Sequence, residues 1–253
     1  AGIAVAAPLM AAEAEALNIG FVKRMRQGLP WVRLKMAGSL DGRSALANGQ
    51  SQWITGPEAR ADGHGFRARA QAIITGIGSV LADDPLLTVR GVDAPLGQCG
   101  QRVPLVSPLR VVVDSQLRLP TTAKILQGGC LVATASTDVT KIKALEVAGA
   151  EVLCLPSEDG KINLVELLAR LADRGVNEVH IEAGPTLSGA FIKADTVDEL
   201  LVYIAPTLLG GDARGWFDGL NLSSLDQKIT WRFQDVRRVG SDLRILLRTN
   251  GQR

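Results

Sequence analysis

The sequence predicts an α/β fold: a largely parallel sheet covered by helices on both faces, with an antiparallel edge at its C-terminal end. Three observations predict it. Short apolar runs alternate with amphipathic stretches of helical length along most of the chain, which is the pattern of strands buried on both faces. The last two strand-like runs are separated by Gly240-Ser241-Asp242, residues suited to a hairpin turn. With 253 residues, 46% hydrophobic and 21% charged, the chain can build one large domain or two small ones.

Residues 8–28 read as helix, with apolar positions at Leu9, Ala12, Ala16, Leu17, Phe21 and Met25, ended by Gly28 and Pro30. Strands are expected at 32–37, 72–75, 110–114, 130–135, 151–155, 178–182, 199–205, 231–239 and 243–248. Helices are expected near 57–70, 139–148, 164–174 and 186–194. Thr55-Gly56-Pro57-Glu58 fits a capping box. Thr55 would accept from the N–H of Glu58, Glu58 would return a bond, and Pro57 would sit in the first turn. Residues 91–108, rich in Gly and Pro, are expected to form a long exposed loop. There is no internal repeat and no low-complexity tract.

Composition excludes several classes. A net charge of +2 gives no reason to expect a nucleic-acid partner. No window approaches the ~18 apolar residues of a membrane span, and the small apolar opening lacks the basic leader of a signal peptide. Because the chain begins with Ala, a fragment or trimmed form is expected. Cys99, Cys130 and Cys154 show no CxxC spacing, and Cys130 and Cys154 are expected as small buried hydrophobes, consistent with a reducing cytoplasm. With His64 and His180 alone beside them, no zinc-ligand spacing is recognisable.

Three segments carry chemistry. The helix at 57–70 places Arg60, His64 and Arg67 on one face, at steps of four and three. That face can bind a phosphate through forked donors or simply lie in solvent. The run EVHIEAGPTLSGA ends a strand at Glu182 and opens a helix at Ala-Gly-Pro-Thr. Free N–H groups and the helix dipole there suit a dinucleotide pyrophosphate, although a glycine at a plain strand-to-helix turn explains the spelling equally well. It is not the GxGxxG fingerprint. In LKMAGSLDGR, Lys35 interrupts an apolar strand, where a lysine either snorkels or faces a ligand. Asp41-Gly42 reads as a turn.

Together these blocks resemble the reductase half of the bifunctional pyrimidine deaminase/reductase of bacterial riboflavin biosynthesis. The matching stretches are LKMAGSLDGRSA, GQSQWITGPEAR, FRARAQAIITGIGSVLADDPLLTVR, VVVDSQLRLP, VHIEAGPTLSGAFI and VDELLVYIAPTLLGGDARG, in the family's order from about Pro30 onward. The resemblance implies a dihydrofolate-reductase-like mixed sheet, NADPH as donor, and a ribosylaminopyrimidine 5′-phosphate reduced to its ribityl form. It also implies a cytoplasmic homodimer. Residues 1–28 would be a linker from an N-terminal deaminase domain, and 29–253 the reductase domain. The deaminase domain of that family carries an H-x-E and a P-C-x-x-C element; neither is read in this chain, so deaminase activity is expected to be absent.

By position, the resemblance implies a pyrophosphate loop at Gly184, Pro185, Thr186, Leu187, Ser188, Gly189 and Ala190. Further cofactor contacts would come from Ala37, Trp53, Ser79, Asp83 and Ser115. Ser51, Arg67, Leu87, Arg90 and Glu182 would contact substrate, with Ser51, Arg67 and Arg90 on its phosphate. Lys35 and Glu182 would flank the reacting carbon. Gln50 and Ser79 stand where the family often has Glu and Thr. Two alternatives remain at this point: a relative acting on another pterin or pyrimidine, and a nucleotide-binding module without catalysis.

Overall fold

A computed structural model describes residues 9–93 and 104–249. Most of the loop expected at 91–108, with Cys99, lies outside the described residues. In chain order the elements are α1 (Ala11–Leu17), α2 (Ile19–Gln27), β1 (Trp31–Ser39), α3 (Pro57–Arg69), β2 (Ala72–Gly76) and α4 (Ile77–Asp83). Then come β3 (Leu109–Val113), β4 (Cys130–Thr134), α5 (Val139–Val147), β5 (Ala150–Cys154), β6 (Ser157–Glu158), β7 (Lys161–Ile162) and α6 (Leu164–Asp173). The chain continues through β8 (Glu178–Ile181), α7 (Pro185–Lys193), β9 (Glu199–Ala205), β10 (Trp231–Val239) and β11 (Asp242–Thr249).

Nine strands form one sheet in the order β10-β11-β9-β1-β8-β2-β3-β4-β5. The pairings from β9 to β5 are all parallel, whereas β11 runs antiparallel to both β9 and β10. The expected fold class is therefore the observed one. Because side chains alternate across a strand, each face has its own core. Val32, Leu34, Met36, Ile74, Val179, Ile181, Leu200 and Val202 point to the face covered by α6 and α7. Ile73, Val112 and Val132 point to the other, packed on α4 and α5, and Leu201 and Tyr203 meet Ala59 and Phe66 of α3. Helix α6 shows how sequence dictates this: Leu164, Leu167, Leu168, Leu171 and Ala172 recur at helical spacing and are all buried. Its N-cap Asn163 accepts from the N–H of Glu166.

Four expectations are corrected. The N-terminal helix is two helices broken at Asn18, and Leu9, Leu17, Phe21 and Met25 face outward. The inner side is made instead by buried Gly20 and by cationic stems: Lys23 pairs with Asp198 at 2.6 Å, and Arg24 donates to Asn177 at 2.7 Å. The cap of α3 is Gly56, not Thr55, and no side chain closes it. The Gly56 N–H donates to Asp242, the first residue of β11, at 2.7 Å. Cys130 is buried as expected, but Cys154 is exposed, because β5 is the outer strand. Helix α4 was not expected, since Gly76 and Gly78 obscure so short a helix. No helix among the described residues is long and apolar enough to cross a membrane.

Candidate active site

The parallel strands β1, β8, β2 and β3 are neighbours, and their carboxyl ends deliver side chains to one edge of the sheet. Ligands of open α/β sheets bind at such an edge. On β1, Lys35 and Ala37 lie opposite Leu201 and Tyr203 of β9, on the α3 side of the sheet. Arg33 shares that face, so Lys35 is not a lone interruption of the strand. Arg33 is itself buried and spent: its Nε donates to Glu199 at 2.5 Å, and its Nη1 reaches Glu178 at 3.2 Å. Arg248 completes the pairing of Glu199 at 3.0 Å.

Glu182, one residue past β8, is the centre of the polar cluster. Its N–H extends the ladder to Ile74 O of β2 at 2.9 Å, which fixes where the side chain leaves the sheet. Arg67 of α3 forks onto both carboxylate oxygens, Nε to Oε1 and Nη2 to Oε2, the latter at 2.8 Å. Lys35 Nζ stands 3.9 Å from Oε2, and His180 Nε2 stands 3.2 Å from Oε1. Burial alone would raise the Glu182 carboxyl, but Lys35, Arg67 and His180 together hold it well below the usual carboxylate range. It is therefore an anion and an acceptor at neutral pH, not a proton donor.

His180 was missed as a member of this cluster. The signal was present in EVHIE, because residues two apart on a strand share a face. The imidazole is fully buried between Arg33 and Ile73 in the sheet. The 3.2 Å approach to Glu182 is not aligned as a hydrogen bond, and both ring nitrogens lack one. Burial pushes the imidazole below its ordinary value against the pull of Glu182. The expectation that no H-x-E element occurs is corrected: His180-Ile181-Glu182 spells one, but it is a strand end whose carboxylate is committed to Arg67. Among the described residues no group of His, Cys, Asp and Glu could hold a metal.

Beyond Arg67, the α3 face carries His64 and Arg60. His64 Nδ1 accepts the backbone N–H of Arg90 at 3.2 Å, and Arg67 Nη1 donates to Thr88 O at 3.0 Å. Arg90 thus lies along the same helix face as Arg67, exposed, with buried Leu87 just before it. Arg60 stacks on Trp53, 4.4 Å from its ring centroid, and Trp53 is exposed. Ser51 sits half-buried in the same β1–α3 connection.

The glycine turn lies alongside. Gly184 is extended and is the N-cap of α7, Pro185 is in the first turn, and no side chain caps the helix. A Cβ placed on Gly184 would meet nothing nearer than Ser79 Oγ of α4 at 3.8 Å. One on Gly78 would meet nothing within 4 Å. Both positions therefore have open space where a side chain would stand. Asp83 is exposed at the end of α4, and Ser115 is half-buried after β3. Asp114, not foreseen, holds the Ser115 turn by accepting from Arg118 N at 2.6 Å and Leu119 N at 2.8 Å.

Not all of the 184–190 segment faces that space. Ser188 is buried and donates to Ala183 O at 3.2 Å. Gly189 is glycine because a Cβ there would lie 2.0 Å from Asp218 O. Thr186 donates its hydroxyl to Asp218 at 3.2 Å. Thr186 and Gly189 are occupied in packing α7 against the β9–β10 connection, and Ser188 in the turn that opens α7. The same connection is clipped over the β1 exit by Asp41, which accepts from Leu209 N and Gly210 N at 3.2 and 2.8 Å. The Ser39 hydroxyl and these N–H groups hold Asp41 down at about 2.

A family model described as the RibD C-terminal domain matches residues 30–245. The riboflavin biosynthesis protein RibD of Escherichia coli is 44% identical over 245 residues, covering 96% of this chain and 66% of that protein. An Acinetobacter baumannii RibD structure superposes with a TM-score of 0.84 at 37% identity, over 98% of this chain and 65% of that one. The chain thus spans about two thirds of the length of these relatives. The Saccharomyces cerevisiae riboflavin biosynthesis reductase Rib7, at 18% identity and a TM-score of 0.65, shares the fold over 93% of this chain and 99% of its own.

Proposed function

We propose that this chain, which belongs to the RibD C-terminal domain family, is an NADPH-dependent reductase. It would convert the ribosyl group of 5-amino-6-(5-phosphoribosylamino)uracil to the ribityl form in riboflavin biosynthesis. One observation carries the reading: Lys35 from the middle of β1 and Arg67 of α3 converge on Glu182 at the carboxyl end of β8. The likeness of fold to the riboflavin biosynthesis reductase Rib7 supports it.

The residues present fit a nicotinamide dinucleotide. The uncapped N-terminus of α7 is suited to its pyrophosphate, and Gly184 and Gly78 leave room that any side chain would take. Ala37, Trp53, Ser79, Asp83, Ser115 and the 184–190 segment would hold it, with Ser188 and Gly189 acting through packing rather than contact. When bound, the nicotinamide supplies the hydride. The protein's own part is placement and charge. Arg90 and Ser51, with Arg67, hold the substrate phosphate through charge-assisted bonds, and Leu87, buried against Ile73 and Val80, is a substrate contact of the same reading. Glu182, held anionic, accepts from ribose hydroxyls. Lys35 Nζ gives a proton to the ribose ring oxygen as the ring opens, a general-acid role.

Residues 29–253 then form the reductase domain and 1–28 a linker. No deaminase activity belongs to this chain. A cytoplasmic homodimer is part of the same reading, and the exposed edge strand β10, with Phe233 and Val236 in the open, supports a partner there. The test is NADPH oxidation with the phosphorylated substrate and with its dephosphorylated form. The reading expects turnover of the first to a product heavier by two hydrogens, and a much higher KM for the second. No oxidation of NADPH with the phosphorylated substrate overturns it.

A further inference from the structure

Residues 85–90 leave α4 without joining any strand or helix. Among the described residues, the hydrogen bonds that hold this segment are made with side chains: Arg110 donates to Leu86 O at 3.4 Å, Arg67 donates to Thr88 O at 3.0 Å, and the Arg90 N–H donates to His64 Nδ1 at 3.2 Å. His64 and Arg67 are three apart on α3 and therefore share its face. They clip backbone groups of residues two apart in the segment, so the helix reads it as a strand would. Arg67 is also held by its fork with Glu182. His64 has no other hydrogen-bond partner among the described residues, so the contact with Arg90 is what its imidazole does.

We propose that His64 is a positioning residue: accepting the Arg90 N–H at Nδ1, it docks this segment on α3 and makes Arg90 and Arg67 one anion-binding pair. The inference rests on the proposed assignment of both arginines to the substrate phosphate. It follows from hydrogen-bond chemistry. A ring nitrogen that accepts an N–H carries no proton, so the imidazole is neutral with its hydrogen on Nε2. The surroundings favour that form. Burial lowers the imidazole first, and Arg67 on the same helix and Arg90 on the docked segment lower it further. Glu182 after β8 opposes them, and Lys35 on β1 adds to them. Protonation of His64 would remove the acceptor and release Arg90.

The experiment compares His64→Leu, which deletes the acceptor, with His64→Asn, whose amide oxygen can stand near the place of Nδ1. Amide hydrogen exchange at Arg90 reads docking without substrate, while KM, kcat and NADPH affinity read its consequence. In His64→Leu, protection at Arg90 is expected to fall and KM for the phosphorylated substrate to rise about tenfold, with kcat and NADPH affinity changed far less. His64→Asn is expected to restore both. Unchanged protection in His64→Leu overturns the inference, as does His64→Asn failing to recover either quantity. Lost protection with an unchanged KM overturns the anion pair, and Arg90→Lys then separates the causes. An unchanged KM in Arg90→Lys overturns the phosphate assignment beneath the inference; a raised one overturns only the part given to His64.

Discussion

Replacing Glu182 by Gln removes the one carboxylate that Arg67, Lys35 and His180 share. The side chains of Arg67 and Glu182 are 14% and 15% exposed, so water screens their fork little. Gln offers Arg67 one neutral oxygen and turns an NH2 group on the other donor. Hydrogen bonds to charged groups contribute ~1.5–3 kcal/mol each, and stranding a buried cation entirely costs ~3–5 kcal/mol. Arg67 keeps Thr88 O, so the loss should lie near the lower figures, about 2–3 kcal/mol. For a domain of this size that is a fall in Tm of roughly 4–12 °C.

The pH dependence has a definite sign. The Glu182 carboxyl is lower in the folded state than its ordinary value of 4.5. Its contribution is therefore fully present above that value and is lost only as pH falls through the folded one, well below it. Thermal melts of both proteins between pH 7 and pH 5 should show a constant gap that closes only in stronger acid. Equal Tm values at pH 7, or a gap already closing between pH 7 and pH 5, would refute the reasoning.

Three further outcomes follow from the same geometry. Gly184→Val fills open space beside Ser79 rather than striking backbone, so the fold should persist while NADPH affinity, read by fluorescence titration, falls sharply; unchanged affinity removes the turn from the cofactor site. Arg90→Lys keeps the charge of an exposed residue but loses the guanidinium fork, so KM for the phosphorylated substrate should rise with stability and NADPH affinity unaltered; Arg67→Lys should do the same but also lower Tm, because it breaks the fork with Glu182. Chelator-washed protein should hold no stoichiometric zinc by elemental analysis and should not deaminate pyrimidines; a zinc equivalent would contradict the reading of its motifs.

Much of the fold is legible because it depends on local pattern. The parallel strands, α3, α6 and the β10–β11 hairpin follow from periodicity and turn residues, and a face shared by residues two apart brings Lys35 to the same side of its strand as Ala37. What escaped depends on partners distant in sequence. Thr55 has the spelling of a cap, yet Asp242 takes the N–H of Gly56 from 186 residues away. Leu17, Phe21 and Met25 look like a core stripe, yet Asp198 and Asn177 draw the cationic side of α2 inward. Arg33 and His180 sit in runs that read as apolar, and only their neighbours Glu199, Glu178 and Glu182 explain why charge and imidazole are tolerated there. At the glycine turn the residue types suggested one role for seven positions, whereas Asp218 commits Thr186 and Gly189 to packing.

In the proposed reaction Lys35 acts at the chemical step. Its Nζ stands 3.9 Å from Glu182 and 6.0 Å from the centre of the Tyr203 ring, and its side chain is 25% exposed. Lys35→Met keeps the apolar stem and deletes the charge, so stability should hold. Single-turnover NADPH oxidation with saturating phosphorylated substrate tests it most directly. The rate should fall by a factor of roughly 10²–10⁴, the range for loss of a general acid, with Tm unchanged; a normal single-turnover rate in a stably folded variant would contradict the account.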